Sequence, residues 1–134
     1  MQTQRATGSE SHPLLRLHRP RLLVVEDDLD MWRLIERAVR AASPDATIHW
    51  ASDADGARLA LETYPFDAVI ADFLLRDSGS GWSILDLSRR LQPRARIAMA
   101  SALPLRPPDA EGVPFLRKPF NLERCREFVT RLLD

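Results

Sequence analysis

The sequence predicts an α/β protein, a doubly wound five-stranded parallel sheet covered by helices on both faces, and three observations carry that prediction. Apolar, β-branched runs of strand length alternate along the chain with segments of helical period. The runs lack the apolar/polar alternation of half-exposed strands, as strands buried on both faces do. The connections are short, and the 134 residues suffice for one compact domain.

Residues 1–20 mix Gln, Thr, Ser, Gly, His and two prolines without a period and read as a flexible N-terminal extension. The domain is expected over 21–134. Residues 21–25 form the first strand, which halts at Glu26-Asp27-Asp28. Met31, Leu34, Ile35, Ala38 and Ala42 then mark one face of a helix ending near Ser43-Pro44, with Asp28 and Asp30 as helix-start residues. A second strand spans 46–51, Ser52-x-x-Asp55 resembles a capping box, and Ala57, Ala60, Leu61 and Tyr64 give the next helix its apolar face before Pro65.

The third buried strand, 67–71, runs directly into Asp72 and a Gly/Ser-rich turn from Asp77 to Gly81. Trp82, Ile84, Leu85, Ser88 and Leu91 make a third helix, closed by Pro93. Strands at 95–100 and 113–116 follow. Between them Pro104, Pro107 and Pro108 interrupt the stretch where a fourth helix belongs, so that helix is expected to be shortened or missing. Asn121 caps the last helix, with Leu122, Cys125, Phe128, Val129 and Leu132 inward.

Composition removes several functional classes. Hydrophobic residues at 45% and charged residues at 28% disfavour both disorder and a membrane protein. Nineteen basic residues balance nineteen acidic ones, so the chain lacks the basic footprint of a nucleic-acid binder, and no direct DNA binding is expected. With one cysteine, no Cys/His ligand cluster and no apolar leader, a cytoplasmic setting is expected. Lys118 is the only lysine; the other basic residues are arginine.

In a doubly wound sheet, ligands sit beyond the carboxyl ends of the strands. The residues there are Glu26 and Asp27 after the first strand, Asp72 after the third, Ser101 after the fourth and Lys118 after the fifth. Three converging carboxylates repel, so unless some are protonated they need a cation, and oxygen ligands with room for water suit Mg2+. Lys118 adds a point charge, while the Ser101 hydroxyl and the backbone N–H at Ala102 complete a pocket for a tetrahedral dianion. Asp72 in such a setting is suited to attack phosphorus, with catalysis coming from positioning and charge neutralisation. His12, His18 and His49 receive no role, Trp32, Trp50 and Trp82 read as packing residues, and Cys125 reads as a small core residue.

Residues 21–134 resemble a response-regulator receiver domain of two-component signalling, through Leu23-Val-Val-Glu-Asp-Asp28, Val69-Ile-Ala-Asp72, Met99-Ala-Ser-Ala102 and Phe115-Leu-Arg-Lys-Pro-Phe120. The resemblance implies a flavodoxin-like strand order 2-1-3-4-5. It also implies Asp72 as phosphoacceptor, with Lys118 and Ser101 completing the catalytic set. Ser101, Ala102 and Lys118 would hold phosphate oxygens. Asp27, Asp72 and the backbone carbonyl of Leu74 would ligate Mg2+, with Glu26 acting through water. Pro119 stands where the family often has a cis peptide, and Ser101 and Phe115 occupy the switch positions. Leu74 and Leu103 fall where the family tunes dephosphorylation, and their apolar side chains predict a slowly lost phosphoryl group.

The function implied is a stand-alone, single-domain phosphorylation switch that takes its phosphoryl group from a sensor histidine kinase or histidine phosphotransfer protein and signals to a downstream protein. It would not be a turnover enzyme, since a phosphatase of this chemistry needs a second acid just past Asp72 and position 74 is Leu. The alternative is a phosphorylation-independent interaction module with output through the atypical 102–112 segment.

Overall fold

The structure is a computed structural model that describes residues 19–75, 79–103 and 112–134. Residues 1–18 of the expected 1–20 extension, 77–78 of the expected turn from 77 to 81 and 104–111 of the proline-interrupted stretch 102–112 lie outside the described residues. Five strands build one parallel sheet: β1 (Arg21–Val25), β2 (Thr47–Ala51), β3 (Ala68–Asp72), β4 (Arg96–Ser101) and β5 (Phe115–Arg117). Their order is β2-β1-β3-β4-β5, the doubly wound order 2-1-3-4-5. Four helices accompany them among the described residues: α1 (Leu29–Ala42), α2 (Ala54–Thr63), α3 (Trp82–Leu91) and α4 (Leu122–Leu133).

Successive residues of β1 and β3 point to opposite faces, and each face has its own core. On one, Leu22, Val24, Ala68 and Ile70 meet Ile35, Ala38 and Val39 of α1 and Cys125, Val129 and Leu132 of α4. On the other, Leu23, Val25, Val69 and Ala71 meet Ala57 and Leu61 of α2 and Ile84, Leu85 and Leu87 of α3. Burial on both faces explains the unbroken apolar runs. Cys125 belongs to this core, and burial pushes its thiol up to about 12, so it is no nucleophile near neutrality.

The helix starts follow capping chemistry, with one correction. Asp28 Oδ1 accepts from the N–H groups of Asp30 and Met31, and Asn121 Oδ1 from that of Arg124. At α2 the cap is Asp53, whose Oδ1 accepts from Gly56 N, in place of the expected box from Ser52. Asp53 is the residue whose extended backbone brings its carboxylate back over the first turn. Tyr64 likewise leaves the helical face: it is the C-cap of α2, and its ring tilts against His49.

The strands end slightly later than the apolar pattern predicts. Asp72 and Ser101 are the last residues of β3 and β4, paired with Ala100 and Arg117, because the ladder continues through polar residues that alternation alone would exclude. Past β3, Leu74–Leu75 pairs antiparallel with Gly79–Ser80 to make a short ribbon that leads into α3.

Candidate functional site

The strand ends are laced together through their backbones. Glu26 N donates to Ala51 O (3.0 Å), Phe73 N to Ala100 O (2.8 Å) and Lys118 N to Ser101 O (2.8 Å). These bonds hold the chain just beyond β1, β3 and β5 in one layer, so side chains far apart in sequence share one crevice. The Lys118–Pro119 peptide is cis, as the resemblance implied.

Within that crevice Glu26, Asp27 and Asp72 each offer a carboxylate oxygen, and these oxygens lie within 4.8 Å of one another. Lys118 Nζ sits 3.1 Å from Glu26 Oε1 and 3.1 Å from Asp72 Oδ2. Glu26 is buried at 1% exposure, with Oε2 accepting from Asp28 N at 3.2 Å. Asp72 and Ser101 are also buried, and Asp27 is half-buried.

Burial raises the Glu26 carboxyl above the ordinary carboxylate range; the Lys118 ammonium pulls it down and the Asp72 carboxylate pushes it up, and the net direction is upward. At Lys118 burial opposes the charge, but the two carboxylates outweigh it and hold the ammonium above its ordinary value. Lys118 thus pairs with Glu26 and Asp72, and the Asp27 carboxylate stands beside them. Three hard carboxylate oxygens at this spacing fit Mg2+ or Ca2+, which prefer oxygen donors.

The remaining expected residues fall around this centre. The Ser101 hydroxyl accepts from the backbone N–H of Leu103 at 3.0 Å, and Ala102 is exposed beside it. The expected N–H donor at Ala102 is thus accompanied by a neighbouring one that already holds Ser101. Leu103 is 37% exposed. Leu74 follows Asp72 by two residues in the ribbon, and its side chain lies outside the described set. Phe115 is half-buried against the α2/α3 core and also lines a groove of about 560 Å³ between β5 and α4, with Arg117, Arg124, Phe128 and Arg131.

Two residues of the site escaped the sequence reading. Gly81 stands in the turn before α3, as its Gly/Ser-rich setting predicts, and its dihedrals (φ −65°, ψ −14°) do not themselves require glycine. A Cβ there would stand 1.8 Å from the Asp72 carbonyl oxygen, so close approach to Asp72 demands glycine. Trp50 packs, as expected, in a stack on Trp32, and in addition its indole N–H donates to the Glu26 carbonyl at 2.7 Å. A glycine directly before α3 was a usable signal for the first; for the second the sequence held none.

The chain is a doubly wound α/β domain with an acidic triad, a lysine and a hydroxyl at the carboxyl end of its sheet, the end where ligands sit in such folds. More narrowly, the chain has the receiver-domain fold of response regulators. It matches a CheY-like response regulator receiver domain protein from Methanospirillum hungatei with TM-score 0.73 at 19% identity, covering 87% of this chain and 95% of that one. The chemotaxis response regulator CheY4 of Vibrio cholerae gives 0.72 at 21% identity, over 87% of this chain and 100% of that one. A response regulator from Burkholderia pseudomallei, with a phosphorylated aspartic acid, a calcium ion and citrate, gives 0.65 at 22% identity over 78% of this chain and 62% of that one. No family model and no curated protein matches the sequence. Among the described residues, no helix is long and apolar enough to cross a membrane.

Proposed function

We propose that this chain is a phosphorylation-dependent signalling switch, with residues 21–134 as its receiver unit and Asp72 as phosphoacceptor. The observation that carries this reading is the contact of Lys118 Nζ, at 3.1 Å, with both Asp72 Oδ2 and Glu26 Oε1. The ammonium thus already stands where a phosphoryl oxygen on Asp72 would need it. Glu26, Asp27 and Asp72, with the Leu74 carbonyl, would hold Mg2+, which supplies charge neutralisation for the incoming phosphoryl group.

Asp72 attacks phosphorus as a carboxylate: an O–P bond forms, the N–P bond of a donor phosphohistidine breaks, and the leaving imidazole takes a proton. Ser101, Ala102 and Lys118 bind the phosphoryl oxygens, and Phe115 responds by repacking between the core and the groove beside α4. The calcium ion and phosphorylated aspartic acid of the Burkholderia pseudomallei protein support the same pairing of cation and acyl phosphate here. A receiver fold implies partners from two-component signalling in general. The donor is a sensor histidine kinase or histidine phosphotransfer protein, and a downstream protein reads the switch. Receiver folds are in general not turnover enzymes, and this chain acts on itself.

Intact mass after incubation with Mg2+ and either acetyl phosphate or phosphoramidate tests the reading. One phosphoryl increment on the parent and none on Asp72→Ala is the expected result. No increment with either donor overturns it and favours the phosphorylation-independent interaction module. With Leu74 and Leu103 apolar, the modified protein is expected to outlast gel filtration, and a half-life of seconds contradicts that expectation.

A further inference from the structure

The indole of Trp50 is 42% exposed on the edge strand β2, an unfavourable place for a large aromatic ring. Its ring lies flat on that of Trp32 in α1, with centroids 5.2 Å apart and planes 5° from parallel. Its N–H reaches inward to the Glu26 carbonyl at 2.7 Å. The next residue of β2, Ala51, accepts from Glu26 N. Trp32 N in turn donates to the carbonyl of Asp28, the α1 cap. The turn from β1 into α1 is therefore held by β2 at both backbone groups of Glu26 and by α1 through the Trp pair.

We infer that Trp50 is a positioning residue for the cation site, acting through the Glu26–Asp27 peptide; this deepens the proposed function and rests on it. The physical link is peptide planarity. The Glu26 carbonyl, the Asp27 N–H and the Asp27 Cα lie in one rigid plane, so a bond at the carbonyl oxygen fixes the direction in which the chain sets out toward Asp27. Without the indole N–H that carbonyl loses its side-chain donor, the plane is free to tilt, and the Asp27 carboxylate drifts from its place beside Glu26 and Asp72. Packing alone explains an indole stacked on Trp32; it does not explain an N–H committed to the backbone of the acidic pair.

Trp50→Phe keeps an aromatic ring on Trp32 and deletes the donor. Trp32→Phe keeps the stack and the donor and serves as control. Mg2+ affinity is measured by calorimetry for the full chain and both variants, beside the Tm of each without Mg2+. Indole N–H resonances of the parent are followed through the same titration. Trp50→Phe is expected to bind Mg2+ about tenfold more weakly, because binding must then re-order a site that the parent holds preorganised, while Trp32→Phe stays within about twofold. The Trp50 indole resonance is expected to move with Mg2+, and a stationary one contradicts the inference.

A lower Tm for Trp50→Phe with parental Mg2+ affinity makes the contact merely structural and overturns the inference, leaving the switch reading intact. Equal weakening in both variants also overturns it, since the stack would then be the cause. A parent that takes the phosphoryl group but binds no Mg2+ overturns the inference through its metal premise. A parent that neither binds Mg2+ nor takes the phosphoryl group removes the switch reading and the inference with it.

Discussion

The two ends of the sheet solve the problem of polar groups in opposite ways. At the carboxyl end charged side chains meet one another: Lys118 pairs with both Glu26 and Asp72, and the Asp27 carboxylate lies beside them. At the amino end, polar side chains serve the backbone. Asp67 Oδ2 accepts from Arg21 N, the Arg96 guanidinium donates to Leu132 O, and Gln92 accepts from Phe66 N while donating to the carbonyls of Leu61 and Tyr64. A charge buried among charges costs stability that neutral groups would not. A side chain that satisfies orphan backbone groups adds to stability and has no chemistry to offer. The difference teaches where to look for function in such a sheet: where the polar groups serve each other rather than the fold.

The largest expected effect comes from Gly81→Ala, which tests whether the carboxyl end depends on shape as closely as on charge. The added methyl would meet the Asp72 carbonyl oxygen at 1.8 Å and its carbon at 2.9 Å, backbone atoms with no side-chain freedom to yield. Either Asp72 or the start of α3 must move, at a cost of about 3 kcal/mol by comparison with overpacked cores. The Tm is expected to fall, and the phosphoryl increment to be lost even well below that Tm. Phosphorylation at the parental rate would mean that Asp72 is placed by its charged neighbours alone.

Gln92→Ala probes the other end. It strips partners from one N–H and two carbonyls between α2, β3 and α3, and is expected to cost roughly 2 kcal/mol, or several degrees of Tm. Phosphorylation at a temperature well below the transition is expected to be unchanged. Loss of phosphorylation in proportion to stability would erase the distinction between the ends.

How much of this was legible follows from the same contrast. Both cores and the caps at Asp28 and Asn121 follow from periodicity and capping chemistry, whereas the strand order comes only through the resemblance carried by the motifs at the strand ends. Glu26, Asp27, Asp72, Ser101 and Lys118 are legible because strand ends in a doubly wound fold converge; the structure brings Glu26, Asp27, Asp72 and Lys118 together, with Ser101 closing the neighbouring strand. What escaped was set by third parties. Asp53 displaces Ser52 as a cap because backbone direction, invisible in the residue pattern, decides which oxygen reaches Gly56 N. Gly81 and Trp50 act on Asp72 and Glu26 through backbone atoms, and a sequence shows side chains more readily than the carbonyls they meet. Gln92 went unnoticed for the same reason.

The smallest expected effect is a pair of pH slopes of opposite sign, measured without Mg2+. At the carboxyl end Glu26 is held above its ordinary 4.5, chiefly by burial. An acid with a raised value in the folded state contributes stability that is fully present below 4.5 and is lost as pH rises through the folded value. Toward the amino end, His49 from the middle of β2 meets Arg21 at the start of β1, and burial and that guanidinium, whose Nη1 lies 2.9 Å from the ring Nε2, hold it below its ordinary 6.5. A base with a depressed value contributes stability that is present above 6.5 and is lost as pH falls through the folded value. Relative to the parent, the Tm of Glu26→Gln should therefore improve as pH rises from the acid side toward neutrality. That of His49→Gln should improve as pH falls below 6.5. His49 is only half-buried between Tyr64 and Phe66, so its slope should be the shallower of the two. Two slopes of the same sign would mean that burial does not govern one of these groups, and that the ends differ less in their electrostatics than their hydrogen bonds indicate.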